Sequence, residues 1–151
     1  MLRLGKLTDY AIVLLGALAQ NRTRDMAATT LSEKTGLPRP TVAKILKKLH
    51  KADMISATRG AQGGYKMVRT PASISIAAVV EAMEGPIALT DCIPEDAAPC
   101  AFGANCHHTA RWRLVNEAVR SALLTVSLAD MATTPAPIFI PDAPQEVMTQ
   151  P

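Results

Sequence analysis

Residues Thr30–Val68 read TLSEKTGLPRPTVAKILKKLHKADMISATRGAQGGYKMV, and each piece has a local reason to take one shape. Thr30 and Glu33 are spaced as a T-x-x-E capping box, which predicts a short helix from Leu31 to Thr35. Gly36 follows where a helix end often needs a left-handed residue. Pro38 and Pro40 fall at the start of the next helix, where a proline costs little because first-turn N–H groups lack helical partners. Val42, Ile45, Leu46 and Leu49 then recur at i, i+3, i+4, i+7, which is one apolar helix face. Arg39, Thr41, Lys44, Lys47, Lys48 and Lys51 lie off that face. Met54–Ala57 and Tyr65–Val68 flank the turn Thr58-Arg59-Gly60-Ala61-Gln62-Gly63-Gly64, predicting a two-stranded hairpin with an arginine at its tip.

The pattern is a winged helix-turn-helix in a mainly α chain. Its basic helix suits the major groove of duplex DNA, with Arg39, Pro40 and Thr41 at base edges. Lys44, Lys47 and Lys48 would hold phosphates, which position a protein without reading sequence. Arg59 and Gly60 on the wing suit an adjacent minor groove, where narrow A·T-rich DNA attracts arginine. A solvated lysine face and a plain connecting hairpin would explain each feature singly. They would not explain why turn, capping and charge signals agree across one unit.

Charge is divided along the chain. Residues 1–70 carry thirteen Lys/Arg and four Asp/Glu, a net of +9, whereas residues 71–151 carry three and nine, a net of −6. Only the front half is suited to a polyanion. Aromatics make up 3% of the chain. Single strands are usually bound by stacking bases on aromatic platforms, so this scarcity favours double-stranded DNA. No apolar run approaches the roughly 18 residues of a membrane helix. Met1–Lys6 is too short and basic for a secretory signal. The expected compartment is the cytoplasm, with no membrane partner, and there the three cysteines stay reduced.

Around the central unit, Leu4–Ala19 predicts a helix with Thr8 as N-cap, Asp9 in its first turn, and Leu7, Ala11, Leu14, Leu15 and Leu18 as its inner stripe. Asn21–Asp25 is a polar connector. Ser75 can cap a helix over Ile76–Met83, which Gly85-Pro86 ends. Residues 86–108, PIALTDCIPEDAAPCAFGANCHH, lack periodicity and hold all three cysteines. Irregular loops of this length are usually functional or disordered. From Thr109 to Met131 the chain predicts one long helix. Trp112, Val115, Val119, Ala122, Val126 and Ala129 form a seam, with Leu114, Leu123, Leu124 and Leu128 off it. A helix with two apolar sides needs two neighbours, which predicts a dimerisation helix and a homodimer. Proline-rich residues 133–151 predict a flexible tail. The expected organisation is a DNA-binding domain at 1–70, a linking helix and cysteine loop at 71–108, the dimerisation helix at 109–132, and the tail.

The thiols are spaced Cys92-x7-Cys100-x5-Cys106, with His107 and His108 next. No tight C-x2–4-C knuckle of a structural zinc site is present. Wide spacing suits ligands wrapped around a larger object, such as an iron–sulfur cluster, and soft thiolates favour that chemistry. Inert buried thiols or a reversible redox pair are the other readings. An enzyme would need a nucleophile and base in reach within a cleft, and Cys106-His107 is a poor pair for that work. Neither catalysis nor a small-molecule substrate is expected.

The opening LRLGKLTDYAIVLLGALA, the unit LSEKTGLPRPTVAKILKKLHKADMI, the wing RGAQGGYKM, SISIAAVVEAMEG and the triple-cysteine loop leading into Trp112 resemble a family of small bacterial winged-helix regulators. That family includes the iron–sulfur biogenesis regulator IscR and the nitric-oxide sensor NsrR. Within it, the chain is most similar to regulators of SUF-system iron–sulfur cluster assembly. The resemblance spans residue 1 to about residue 131. It implies a dimeric transcription factor, a repressor of assembly genes, whose DNA affinity depends on a cluster held by Cys92, Cys100 and Cys106. A [2Fe-2S] cluster comes first and a [4Fe-4S] cluster second. Thr109 stands where some members place a histidine ligand, so Asp9, His107 and His108 are the candidates for a fourth. A zinc-bound or thiol-switch repressor without a cluster is the alternative.

Overall fold

The computed structural model describes residues 3–21, 24–60, 63–91, 93, 106 and 109–132. Cys92, Cys100, His107, His108 and the tail fall outside them, and so do those residues' predicted roles. In chain order come α1 (Lys6–Ala19), α2 (Ala28–Thr35), α3 (Arg39–Lys51), β1 (Ile55–Thr58), β2 (Gly64–Met67), a 3-10 turn (Pro71–Ser73), α4 (Ile76–Glu84), α5 (Thr109–Thr125) and α6 (Leu128–Ala132).

The α3 stripe forms the centre of the core. Val42, Ile45, Leu46 and Leu49 are each fully buried, together with Leu14, Leu15, Leu18, Leu31 and Val79 from the helices around them. Each such side chain contributes about 1.5–3 kcal/mol relative to an exposed one. α3 packs on α1, α2 and α4, and β1 follows it directly. Gly36 ends α2 in the expected left-handed conformation, at φ 72°. Side chains fix the turn that follows. Ser32 Oγ donates to Leu37 O at 2.6 Å, Thr35 Oγ1 donates to Leu31 O at 2.7 Å, and the Leu37 N–H donates to Thr35 Oγ1 at 3.4 Å.

Three sequence expectations are corrected. First, α2 begins at Ala28, with Ala27 as N-cap and no side-chain cap, so the Thr30–Glu33 box does not form. A longer-range pairing sets the entry instead: Met26 forms an antiparallel bridge with Tyr65 of β2. Second, Gly5 rather than Thr8 caps α1. Thr8 is buried in the first turn, where its hydroxyl donates to Glu84 Oε1, and the Gly5 N–H reaches the same oxygen at 2.7 Å. A carboxylate from α4 thus sits at the N-terminus of α1, where negative charge is favoured. Third, the long C-terminal helix breaks at Val126-Ser127. The Ile76 N–H donates to Val126 O at 2.9 Å and the Leu128 N–H to Ile74 O at 2.8 Å. Leu128 enters the core, 2% exposed.

Ser127 then starts α6 through a reciprocal cap. Its N–H and hydroxyl donate to Asp130 Oδ2, at 2.8 and 2.6 Å, and its Oγ accepts from the Asp130 N–H at 3.2 Å. The hydroxyl first, and the backbone N–H second, hold the Asp130 carboxyl below the usual aspartate range. This cap is present above the unfolded-state pKa and is lost as pH falls through the folded one.

The first strand forms one residue later and the second one residue earlier than predicted, pairing Ile55 with Met67 and Thr58 with Gly64. Its glycines are required by close approach. A Cβ on Gly64 would lie 2.6 Å from the Met26 carbonyl carbon, and one on Gly63 2.2 Å from Thr58 O. Gly64→Ala should therefore lower stability by about 1–3 kcal/mol as an overpacking change. Leu128→Ala should cost about 2–5 kcal/mol. Urea unfolding followed by circular dichroism checks both, and a Leu128→Ala cost below 1 kcal/mol would deny that α6 is anchored in the core.

Candidate nucleic-acid interface

Burial of one α3 face decides what the other presents. Arg39, Pro40, Lys44 and Lys47 are exposed, and Thr41 is half-buried. These residues share the outer side of a helix whose inner side is fixed in the core, Arg39, Pro40 and Thr41 in its first turn and Lys44 and Lys47 farther along. Arg59 and Gly60 are exposed at the wing tip, with Gly60 at φ 117°. The Gly63 N–H donates to Gly60 O at 3.0 Å and closes that turn. Lys66 on β2 pairs with Asp25 at 3.7 Å. Together with the Met26–Tyr65 bridge, this ties the wing to the chain that enters α2. Helix and wing tip are therefore both carried on rigid supports.

Lys48 departs from the others. It is half-buried, and its ammonium donates to the Met83 carbonyl at the end of α4. Periodicity placed Lys48 off the apolar face, but it could not show that α4 lies there.

The thiol-bearing segment leaves from the same end of α4. Gly85, at φ 95° and ψ −170°, turns the chain away. The Ile93 N–H donates to Thr90 O at 3.2 Å. Cys106 is half-buried, three residues before α5. Asp9 is exposed on α1. Among the described residues, no three His, Cys, Asp or Glu side chains gather as a metal site.

One residue that sequence reading passed over links loop and helix. Asn116 is 7% exposed. Its Oδ1 accepts from the Leu89 N–H and its Nδ2 donates to Ile87 O, both at 3.0 Å. The signal was available: Asn116, Val119, Arg120 and Leu123 recur at i, i+3, i+4, i+7, so an amide lies on the inner stripe of α5. Arg120 on that stripe pairs with Glu81 of α4 at 3.1 Å. The outward side of α5 is bare, with Leu114 74% and Val115 47% exposed, and Trp112, one turn before Asn116 on the inner stripe, is 44% exposed. The expectation of two apolar sides thus meets one covered and one uncovered face.

Known proteins resemble this chain in sequence and in fold. The family model described as "Rrf2: Iron-dependent Transcriptional regulator" matches residues 4–134. An rrf2-like HTH-type transcriptional regulator of Rhodobacter capsulatus is 34% identical over 110 residues, covering 70% of this chain and 71% of that protein. The HTH-type transcriptional repressor NsrR of Streptomyces coelicolor is 29% identical over 136 residues, covering 89% and 90%. Two solved structures share the fold. CymR, the global cysteine regulator of B. subtilis, has a TM-score of 0.66 at 23% identity, covering 87% of this chain and 97% of that one. T. potens IscR has a TM-score of 0.62 at 24% identity, covering 86% and 85%. These relatives regulate transcription and are not enzymes. Among the described residues, no helix is long and apolar enough to cross a membrane.

The lysines can be told apart by salt. Lys44→Ala and Lys47→Ala should each reduce the slope of log K against log salt by about 1, the loss of one phosphate contact. Lys48→Ala should leave the slope unchanged, because its ammonium is engaged at Met83. Fluorescence anisotropy of a labelled duplex over a salt series reads this directly. Equal slope losses for all three would return Lys48 to the DNA face.

Proposed function

The chain belongs to the Rrf2 family of iron-dependent transcriptional regulators, and from that premise we propose that it is a dimeric repressor of iron–sulfur cluster assembly genes, controlled by a cluster on Cys92, Cys100 and Cys106. The observation that carries the reading is the joint placement of α3 and the loop stem. A helix that exposes Arg39, Lys44 and Lys47 is tied through Lys48 to the turn from which the thiol-bearing segment departs.

The donor set fits such a group. Three soft thiols lie within one short segment, and its exit, at Cys106, is half-buried three residues before α5. Asp9 is exposed, so a second copy could offer it as fourth ligand; His107 and His108 are the alternatives within the loop. When bound, the cluster supplies a redox-labile tie among the thiols, [2Fe-2S] being the first candidate and [4Fe-4S] the second.

This chain's own residues do the rest. Arg39, Pro40 and Thr41 face base edges, Lys44 and Lys47 neutralise phosphates, and Arg59 with Gly60 enters the neighbouring minor groove. The bare side of α5 meets its counterpart in a second copy and sets the separation of the two recognition helices. Half-sites about 34–36 Å apart then match one DNA turn. Loop order and DNA grip become reciprocally linked, typically by about 1–3 kcal/mol. Iron starvation or oxidation removes the tie and relieves repression.

Protein purified without oxygen should be coloured and contain iron and acid-labile sulfide. A colourless product with zinc, or with no metal, would replace the cluster reading with a zinc-bound or thiol-switch repressor. Val115→Glu places a charge on the bare α5 face without touching the core. It should sediment as a monomer and bind a two-half-site duplex about 100-fold more weakly, through lost avidity. A dimeric Val115→Glu protein would move the interface away from α5.

A further inference from the structure

Residues 86–89 form one wall of an open groove rather than entering the core. The groove has a volume of about 450 Å³ and is lined by Leu4, Val80, Val119 and Leu123. Pro86 and Ala88 are exposed, and Ile87 and Leu89 only half-buried. Apolar burial therefore holds this stretch weakly, and Asn116 supplies what burial does not. The carboxamide carries a donor group and an acceptor group in a fixed plane. It meets the C=O of Ile87 and the N–H of Leu89, both at 3.0 Å. An apolar side chain offers neither bond, and a carboxylate offers only the acceptor.

The position of Asn116 on α5 matters as much as its chemistry. It stands seven residues after Thr109, the first residue of α5, which is about 10 Å along the axis at 1.5 Å per residue. Leu89 is thus pinned about 10 Å from the point where the loop returns. The turn closed by Thr90 and Ile93 follows at once. Half-buried Cys106 lies on the other stem, just before the same helix. The entry stem is in this way registered on the helix to which the thiol-bearing segment returns.

We infer that Asn116 is a positioning residue, fixing the entry stem of the thiol-bearing segment, at Ile87 and Leu89, against α5 and so raising the affinity for the guest. It touches no guest itself and acts through the backbone of Ile87 and Leu89. The inference rests on the cluster reading above for the identity of the guest, but not for the pinning. Partners of this outer-shell kind commonly change metal affinity by about 10–100-fold when removed.

The test compares the full-length wild type with Asn116→Leu and Asn116→Asp, reconstituted anaerobically with ferrous iron and sulfide. Release of iron to a chelator is followed by visible absorption. Hydrogen exchange of peptides covering residues 86–91 is followed in the metal-free proteins. Asn116→Leu should release iron about tenfold faster and exchange faster at 86–91, with unchanged far-ultraviolet circular dichroism. Asn116→Asp keeps the acceptor for the Leu89 N–H and should fall between the two. It also serves as the test if Asn116→Leu does not fold. Wild-type release and exchange rates in the variants would overturn the inference. A wild type that takes up no iron or sulfide would sink the cluster reading instead, and the exchange at 86–91 would still decide the pinning: faster in the variants sustains it, unchanged overturns it.

Discussion

Burial of Val42, Ile45, Leu46 and Leu49 is the constraint from which the remaining structure follows. All four are inaccessible to solvent, and α1, α2 and α4 are arranged around them. With that face committed, the helix has one way to turn its charges, and Arg39, Lys44 and Lys47 are left outside. The proposed DNA-binding surface is thus a by-product of core packing rather than a patch laid over it. Rotating α3 to hide the lysines would require taking four aliphatic side chains out of the core. At about 1.5–3 kcal/mol each, that cost is comparable to the whole stability of a domain.

The end of α4 is where the other elements meet. Met83 accepts from Lys48 of α3, and Glu84 accepts from Gly5 and Thr8 of α1. Ile87 and Leu89 are held by Asn116 of α5. Within a few residues, the chain joins the recognition helix, the first helix and the last long helix, then enters the thiol-bearing segment. In the proposed reading, a change in that segment would reach α3 through this short contiguous bracket. The two buried polar side chains among the described residues, Thr8 and Asn116, both belong to it. Buried polar groups are costly unless satisfied, and each here makes the hydrogen bonds that its site demands.

Local signals were legible in the sequence, and long-range ones were not. The α3 stripe, the left-handed Gly36, the Ser75 cap, which accepts from the Ala78 N–H at 3.2 Å, and the hairpin all depend on neighbours in sequence. Each appears within a residue of its expected place. The misses share one cause. Thr30 cannot cap α2, because the Met26–Tyr65 bridge fixes the backbone earlier. Thr8 is drawn inward by Glu84, a residue from the far side of the core. The α5–α6 break is imposed by Ile74 and Ile76 pairing with Val126 and Leu128, although the S-x-x-D spacing of Ser127 and Asp130 was there to be read. Lys48 looked like any surface lysine until α4 was in place. Asn116 interrupted an apolar stripe, and such an interruption marks a polar partner across the helix.

The loop's thiol spacing was equally plain from sequence, whereas the way its entry stem is held depends on α5. The central claim joins these parts: the state of the thiol-bearing segment sets how firmly the exposed face of α3 grips duplex DNA. The most direct measurement is the affinity of one protein preparation for a duplex enriched from a random pool, taken before and after anaerobic removal of iron and sulfide. The account predicts tighter binding by the loaded form, by about 5–150-fold. Equal affinities would contradict it, leaving a DNA-binding protein whose loop has no say in the binding.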